Sequence, residues 1–382
     1  MSSILASIPV LCWAAKRVGL ESESIIQRFP KWPLWLSGES SPSLRQLEDF
    51  ARWTHTPIGY FFLPDVPKLV LPVSDFRTTS SDSLNEPSPE LLDTIYLCQQ
   101  RQSWFHDYAR MHGLPRLEFC GSVTTKNSPA EVAESIRNKL DLSLEDRKQL
   151  PTWKEALRQL IDKAEGIGVL VMASSIVGSN SHRKLKVDEF RGFALVDDLA
   201  PLVFINASDS KAAQGFTLAH ELAHIWLGES GVSMPQLGQK SGPHIEIWCN
   251  QVAAELLLPM QELMQNFDPQ RPITEEIRRL VKLFKVSSLV VLRRLLDEGF
   301  LNQDLFSSLF RKELERIQEM DRGGSGGSFY RTLGARTGKR FARAVLSSTL
   351  EGQTLFQEAF RMLGVRKTST FYEAAREFGV LL

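Results

Sequence analysis

The sequence predicts an α+β chain that is mostly helical and has more than one core. The chain has 382 residues, beyond what one core usually organises, so two or three domains are expected. Three short apolar runs, Gly168 to Met172, Gly192 to Val196 and Leu202 to Ile205, are bounded by turn residues and read as strands. Most remaining periodicity is helical. Short strands just before a helical segment are the pattern of a small sheet packed on helices.

Composition removes several classes. With 43% hydrophobic and 24% charged residues, the chain is not disordered as a whole. Its 45 basic and 45 acidic residues cancel, so it is not an overall electrostatic binder of nucleic acid or anionic membrane. Cys12, Cys98, Cys120 and Cys249 are scattered and form no CxxC pair. They read as small hydrophobes in a reducing compartment rather than metal ligands. The first fifteen residues lack a basic segment ahead of their short apolar run, so no signal peptide is expected. No stretch approaches the length of a membrane span. The expected location is cytoplasmic.

In chain order, Ile8 to Val18, Glu21 to Phe29 and Lys31 to Leu36 read as short helices, the last ended by Ser37-Gly38. Ser43 caps Leu44 to Trp53, which sets Leu44, Leu47, Phe50 and Ala51 on one face. An aromatic cluster, Pro57 to Pro64, closes this unit. Residues 64–89 are rich in Pro, Ser and Thr and read as a linker, or as an extended segment lying on a neighbour. Asp75-Phe76-Arg77 is the least linker-like part of it, a docking point. Helices follow at Glu90 to His112, Ser128 to Leu140, where proline follows the cap, and Thr152 to Ala164. After the strands come a helix over Ala212 to Leu227, a loop over Ser230 to Pro243 and a helix over Glu246 to Leu258, stopped by Pro259. Ile273 to Leu296 reads as two helices, Gln303 to Met320 as one, Gly323 to Gly327 as a flexible break, and Phe329 to Leu382 as helical. No internal repeat is present. The expected domains are 1–70, a linker 71–90, 91–300 and a helical region 301–382.

The chemistry lies in His220-Glu221-Leu222-Ala223-His224. Histidines four apart stand about 40° from each other around a helix, one turn up, so both imidazoles reach one ion. The carboxylate of Glu221 beside them can take a proton from an activated water. With seven His and at most 45 Glu, chance yields this pattern somewhere in such a chain with a probability of roughly 1 to 2%. Phe216, Leu218, Ala219, Leu222, Ala223 and Trp226 make the helix apolar nearly all round, so it is buried. Buried histidines and a glutamate need a compensating partner, and a metal provides one.

A catalytic zinc site takes a third protein ligand. Glu229, His244, Glu246 and Glu255 are the nearby candidates. Glu246 is the best of them, because it starts the next helix after a loop long enough to reverse direction. Asn250 stands one turn further on the same face, placed to orient His220 or His224. His244 reads as a surface loop residue, and Glu255, in an apolar run, as a paired structural carboxylate. The glycine and third histidine of metzincins are absent after His224; Leu227 and Ser230 stand there instead.

The block His220 to His224, followed by Glu246-Ile-Trp-Cys-Asn250-Gln-Val-Ala-Ala-Glu-Leu-Leu-Leu-Pro259, resembles the ImmA/IrrE metallopeptidases, whose pattern is HELxH and then an ExxAN-(F)-AAxLLMP helix. Trp248, Cys249 and Val252 depart from that pattern without removing a proposed ligand. The resemblance implies a zincin-like metallopeptidase domain over 91–300 with Zn2+ held by His220, His224 and Glu246. Residues 1–77 resemble the Xre-type helix-turn-helix module that precedes the peptidase in one branch of the family. The matching residues are Trp35 to Glu39, Pro42 to Leu47, Phe61 to Pro64 and Asp75 to Arg77. Family members cleave a cognate transcriptional repressor. Those carrying the module also look like antitoxins paired with a PIN-like nuclease toxin. The implied partners are therefore a protein substrate, a toxin, and DNA through residues 1–70 or the basic C-terminal region, with no membrane.

The charge footprint for DNA is weak. Residues 1–68 hold seven Lys and Arg against six Asp and Glu. The recognition segment, Lys31 to Ser40, contains Pro33, which shortens its helix, and Trp32 and Trp35 do not read base edges as Arg or Asn do. Residues 329–382 hold nine basic against four acidic residues, with Arg331, Arg336, Lys339, Arg340 and Arg343 near the start, and read as a solvated helix face or a site for phosphate or an acidic partner. Two readings follow: a narrow zinc endopeptidase, and an antitoxin or regulator whose zinc is structural or vestigial. The intact Glu221 favours the first.

Overall fold

The structure, a computed structural model, describes residues 6–77, 86–235, 243–321 and 329–381; the glycine break at 323–327 lies outside them. The elements in order are α1 (Ile8–Arg17), α2 (Ser22–Arg28), α3 (Trp32–Leu36), α4 (Leu44–Thr54), a 3-10 turn (Ile58–Phe62), β1 (Ser74–Asp75), α5 (Pro89–Met111), α6 (Pro129–Lys139), α7 (Leu144–Lys148) and α8 (Trp153–Gly166). Then come β2 (Leu170–Ser174), β3 (Ile176–Val177), β4 (Asn180–Lys184), β5 (Gly192–Leu195), β6 (Leu202–Asn206), α9 (Lys211–Leu227), β7 (Gly231–Ser233) and α10 (His244–Leu257). The chain closes with α11 (Met260–Asn266), α12 (Ile273–Phe284), α13 (Ser288–Asp297), α14 (Gln303–Asp321), α15 (Phe329–Thr337), α16 (Lys339–Leu350), α17 (Phe356–Leu363) and α18 (Thr368–Glu377). The fold is α+β and mostly helical, as the sequence predicts. No described helix is long and apolar enough to cross a membrane.

The chain divides into two compact units, 1–72 with 81–95, and 73–80 with 96–382. In the first, Ser43 and Gln46 form a reciprocal capping box that starts α4. Its core joins Leu11, Trp32, Trp35, Leu47, Phe50 and Phe61. Pro33 is accommodated in the first turn of α3, which lasts only five residues. Trp32 stacks on Phe50 at 5.2 Å between ring centroids. Both tryptophans of the segment expected to face DNA are thus spent on the core.

The second unit holds a five-stranded mixed sheet in the order β1-β7-β5-β6-β2. β2 and β6 run parallel; β5 is antiparallel to β6 and to β7; β1 is parallel to β7. β5 and β6 are buried along their whole length, which is why they read as continuous apolar runs rather than alternating ones. α9 packs on β5 and β6, and α8 on β2. The exposed edge that β2 would otherwise present is covered by α15 and α16.

The sequence reads as a loop over 230–243, but Gly231–Ser233 is a strand inside the sheet. Three residues are too few to show a period. The segment 73–77, expected to be linker, supplies the edge strand β1, in keeping with its expected alternative as an extended segment on a neighbour.

The C-terminal helices are fastened by Arg101 of α5. Its Nε and Nη2 donate to the Met362 carbonyl at 3.1 and 2.9 Å, and Nη1 to the Arg336 carbonyl at 3.1 Å. These carbonyls stand at the ends of α17 and α15, where unsatisfied C=O groups and the negative end of the macrodipole collect. Three of the five clustered basic residues are drawn into the fold: Arg336 donates to the Leu363 carbonyl, Arg340 lies over the Phe105 ring and Arg343 donates to the Phe378 carbonyl.

Candidate metal centre

Ser210 starts α9 by accepting from the Ala213 N–H at 3.2 Å, and Gly228, with φ of 82°, ends it in the left-handed region. Between them the helix is buried all round, and His220, Glu221 and His224 have zero exposure. Gly192 on β5 allows the close approach, since a Cβ there would lie 2.6 Å from Thr217 Cγ2 and 2.9 Å from Glu221 Oε1. α10 packs across α9 and brings Glu246, in its first turn, against both histidines.

The three donor atoms form a small triangle. His220 Nε2 and His224 Nε2 are 3.1 Å apart. Glu246 Oε1 is 2.9 Å from His224 Nε2, and Oε2 is 3.3 Å from His220 Nε2. Zinc–nitrogen bonds of the usual length at tetrahedral angles require an edge of about 3.3 Å. This is the one cluster of three or more metal-binding side chains among the described residues. Burial would raise the Glu246 pKa, but the two imidazoles outweigh it and bring it down to about 2. Burial lowers the His224 pKa, which favours the neutral imidazole a metal needs.

Glu221 behaves differently. Burial, then the nearby Glu246 charge, push its pKa well above the ordinary range, and the Ser233 hydroxyl only moderates the rise. Neither of its oxygens makes a hydrogen bond of full geometry to a described residue. A buried carboxylate this weakly partnered is costly, so it fits a site that takes a cation and water. The residues present therefore fit zinc: two imidazoles and a carboxylate as donors, with an orphaned carboxylate beside them.

His244 and Glu229 are exposed. Glu255 pairs with Arg294 and accepts from the Met260 N–H at 3.2 Å, the structural role expected of it. Asn250 makes no hydrogen bond to either histidine; its buried amide nitrogen and oxygen have no hydrogen-bond partner among the described residues, nor do Nδ1 of His220 and His224. Trp248, Cys249 and Val252 fill the core, with the Trp248 indole N–H donating to the Asn127 carbonyl at 3.0 Å.

Two site residues escape a reading of the sequence. Ser233 Oγ on β7 lies 3.3 Å from His224 Nε2. The Phe76 ring stacks on the His224 imidazole at 5.3 Å and 15°. For the latter the sequence marks Asp75-Phe76-Arg77 as a docking point and as part of the family resemblance, without saying that Phe76 meets His224.

A search of curated proteins gives no match to the chain. Residues 337–377, covering all of α16 to α18, match a family model described as a domain of unknown function, DUF8813. Residues 164–296, which hold all four centre residues, match the model of the IrrE N-terminal-like domain, Peptidase_M78, so this part of the chain is similar to a metallopeptidase of the IrrE/ImmA kind.

Proposed function

We propose that the protein is a zinc-dependent endopeptidase of narrow specificity that cleaves a regulatory protein, such as a cognate transcriptional repressor. The observation that carries this reading is the donor triangle of His220, His224 and Glu246 beside the orphaned Glu221. When bound there, zinc lowers the pKa of water and polarises a peptide carbonyl. Glu221 accepts the proton of the attacking water on its carboxylate and delivers it to the leaving nitrogen. The Ser233 hydroxyl stands against His224 Nε2, the atom that would take the metal. A narrow range agrees with the zero exposure of His220, Glu221 and His224, which turns away casual substrates. A reducing, cytoplasmic setting is part of the reading, since all four cysteines are free thiols.

A second reading makes the protein an antitoxin or regulator that binds a PIN-like toxin and operator DNA through residues 1–70, with a structural zinc. The separate core of that unit favours it. The five-residue α3 with its inward tryptophans weighs against DNA reading, and a structural zinc has no need of Glu221. The test is incubation of the zinc-loaded protein with a degenerate peptide mixture, read by mass spectrometry. Cleavage at a few sequences, stopped by 1,10-phenanthroline and restored by zinc, is expected. Chelator-insensitive cleavage, or none from fully loaded protein, overturns the peptidase reading.

A further inference from the structure

β7 runs along the metal centre, because its last residue, Ser233, touches His224. One side of β7 is paired with β5. The other is where a polypeptide could add as a further strand, and in this structure the chain's own residues 74–77 occupy it. Ser74 pairs with Gly231 and Asp75 with Val232, and the Phe76 N–H donates to the Val232 carbonyl at 3.0 Å. The pairing covers only two residues, so side chains supply much of the hold. Phe76 lies on the His224 ring. Arg77, 8% exposed, bonds the Asp75 carboxylate through Nε at 2.8 Å and Nη2 at 2.7 Å and stands 3.7 Å from Glu189.

Gly231 is shaped for this occupant. A Cβ there would stand 2.2 and 2.4 Å from two Phe76 ring carbons and 3.0 Å from the Ser74 carbonyl. Its φ lies outside the left-handed region, so the backbone itself does not demand glycine. The bare strand is explained by the ring that rests on it. With His220, Glu221 and His224 fully buried, an attacked peptide bond reaches them only when something covering the centre moves, and the Phe76 ring is one such cover.

We propose that Ser74–Arg77 is an internal stand-in for substrate: it occupies the β7 docking edge, and its displacement admits an extended peptide in which an aromatic residue is followed by arginine. The substrate part of this rests on the peptidase reading; the occupied edge does not. Two variants and one probe test it in the full chain. Phe76→Ala removes the ring, and Gly231→Ala evicts it with one methyl group on β7. The probe is the fluorescently labelled hexapeptide Pro-Val-Ser-Asp-Phe-Arg, followed by anisotropy. Zinc loss to dipicolinate is expected to be at least about tenfold faster from both variants than from the wild type. The peptide is expected to bind Phe76→Ala at least about tenfold more tightly than wild type, and not to bind Gly231→Ala, whose slot is filled. A peptide with alanine in place of phenylalanine should bind none of them. Thermal melting of each variant checks that it is folded. Wild-type rates of zinc loss in both variants, or a peptide that binds Phe76→Ala no better than wild type, overturns the proposal. The peptide arm needs neither metal nor cleavage, so it tests the occupied edge even where the peptidase reading fails.

Discussion

Glu221→Gln is expected to keep about one zinc per chain while cleavage falls by roughly a hundred- to ten-thousand-fold, the usual worth of a positioned acid–base group. The amide matches the carboxylate in shape, so its close approach to Gly192 is preserved. The proton acceptor is gone, and no other carboxylate in the centre can replace it, because Glu246 is held ionised by the two imidazoles. The same variant should be more stable than the wild type in the absence of metal, since it removes a fully buried carboxylate that has only the Ser233 hydroxyl beside it among the described residues. Metal content and cleavage of the peptide mixture, measured on one preparation, check both halves. Cleavage at the wild-type rate assigns the base elsewhere.

Arg101→Met should cost about 2 to 5 kcal/mol, since hydrogen bonds to a charged group contribute about 1.5 to 3 kcal/mol each and buried carbonyls are left unpaired. Burial brings the Arg101 pKa down to about 10 and leaves it charged. Its work is to cap the ends of α15 and α17 together. The loss should therefore appear in the C-terminal helices first, as trypsin cleavage within residues 337–381 at temperatures where the metal centre is still intact. Unchanged protease resistance and melting temperature would show that α15 to α18 are held by their apolar contacts alone. Arg147 repeats the device, donating to the carbonyls of Leu257 and Lys285 at the ends of α10 and α12.

The parts of this fold that are local in sequence are legible, and those made by distant pairing are not. His220 and His224 face one way because four residues nearly complete a turn, and the apolar residues around them announce a buried helix. Glu246 can be singled out because it opens the next helix. β2, β5 and β6 stand out because burial on both faces makes Leu170 to Ala173, Phe193 to Leu195 and Leu202 to Ile205 continuous apolar runs. β4, with the polar sequence Asn-Ser-His-Arg-Lys, carries no such mark. β7 is too short to show alternation, so Ser233 passes for a loop residue. The stacking of Phe76 on His224 joins residues far apart through a two-residue parallel pairing, which no local pattern encodes. Pro33 does forecast the brevity of α3, because its missing N–H and fixed φ confine it to a first turn.

The central claim is that His220, His224 and Glu246 hold one metal ion. The direct measurement is metal content by mass spectrometry of the purified, zinc-reconstituted chain beside His220→Ala and Glu246→Ala. About one zinc per chain in the wild type, lost from both folded variants, is the predicted result. No zinc in the reconstituted wild type, or full retention in either variant, contradicts it.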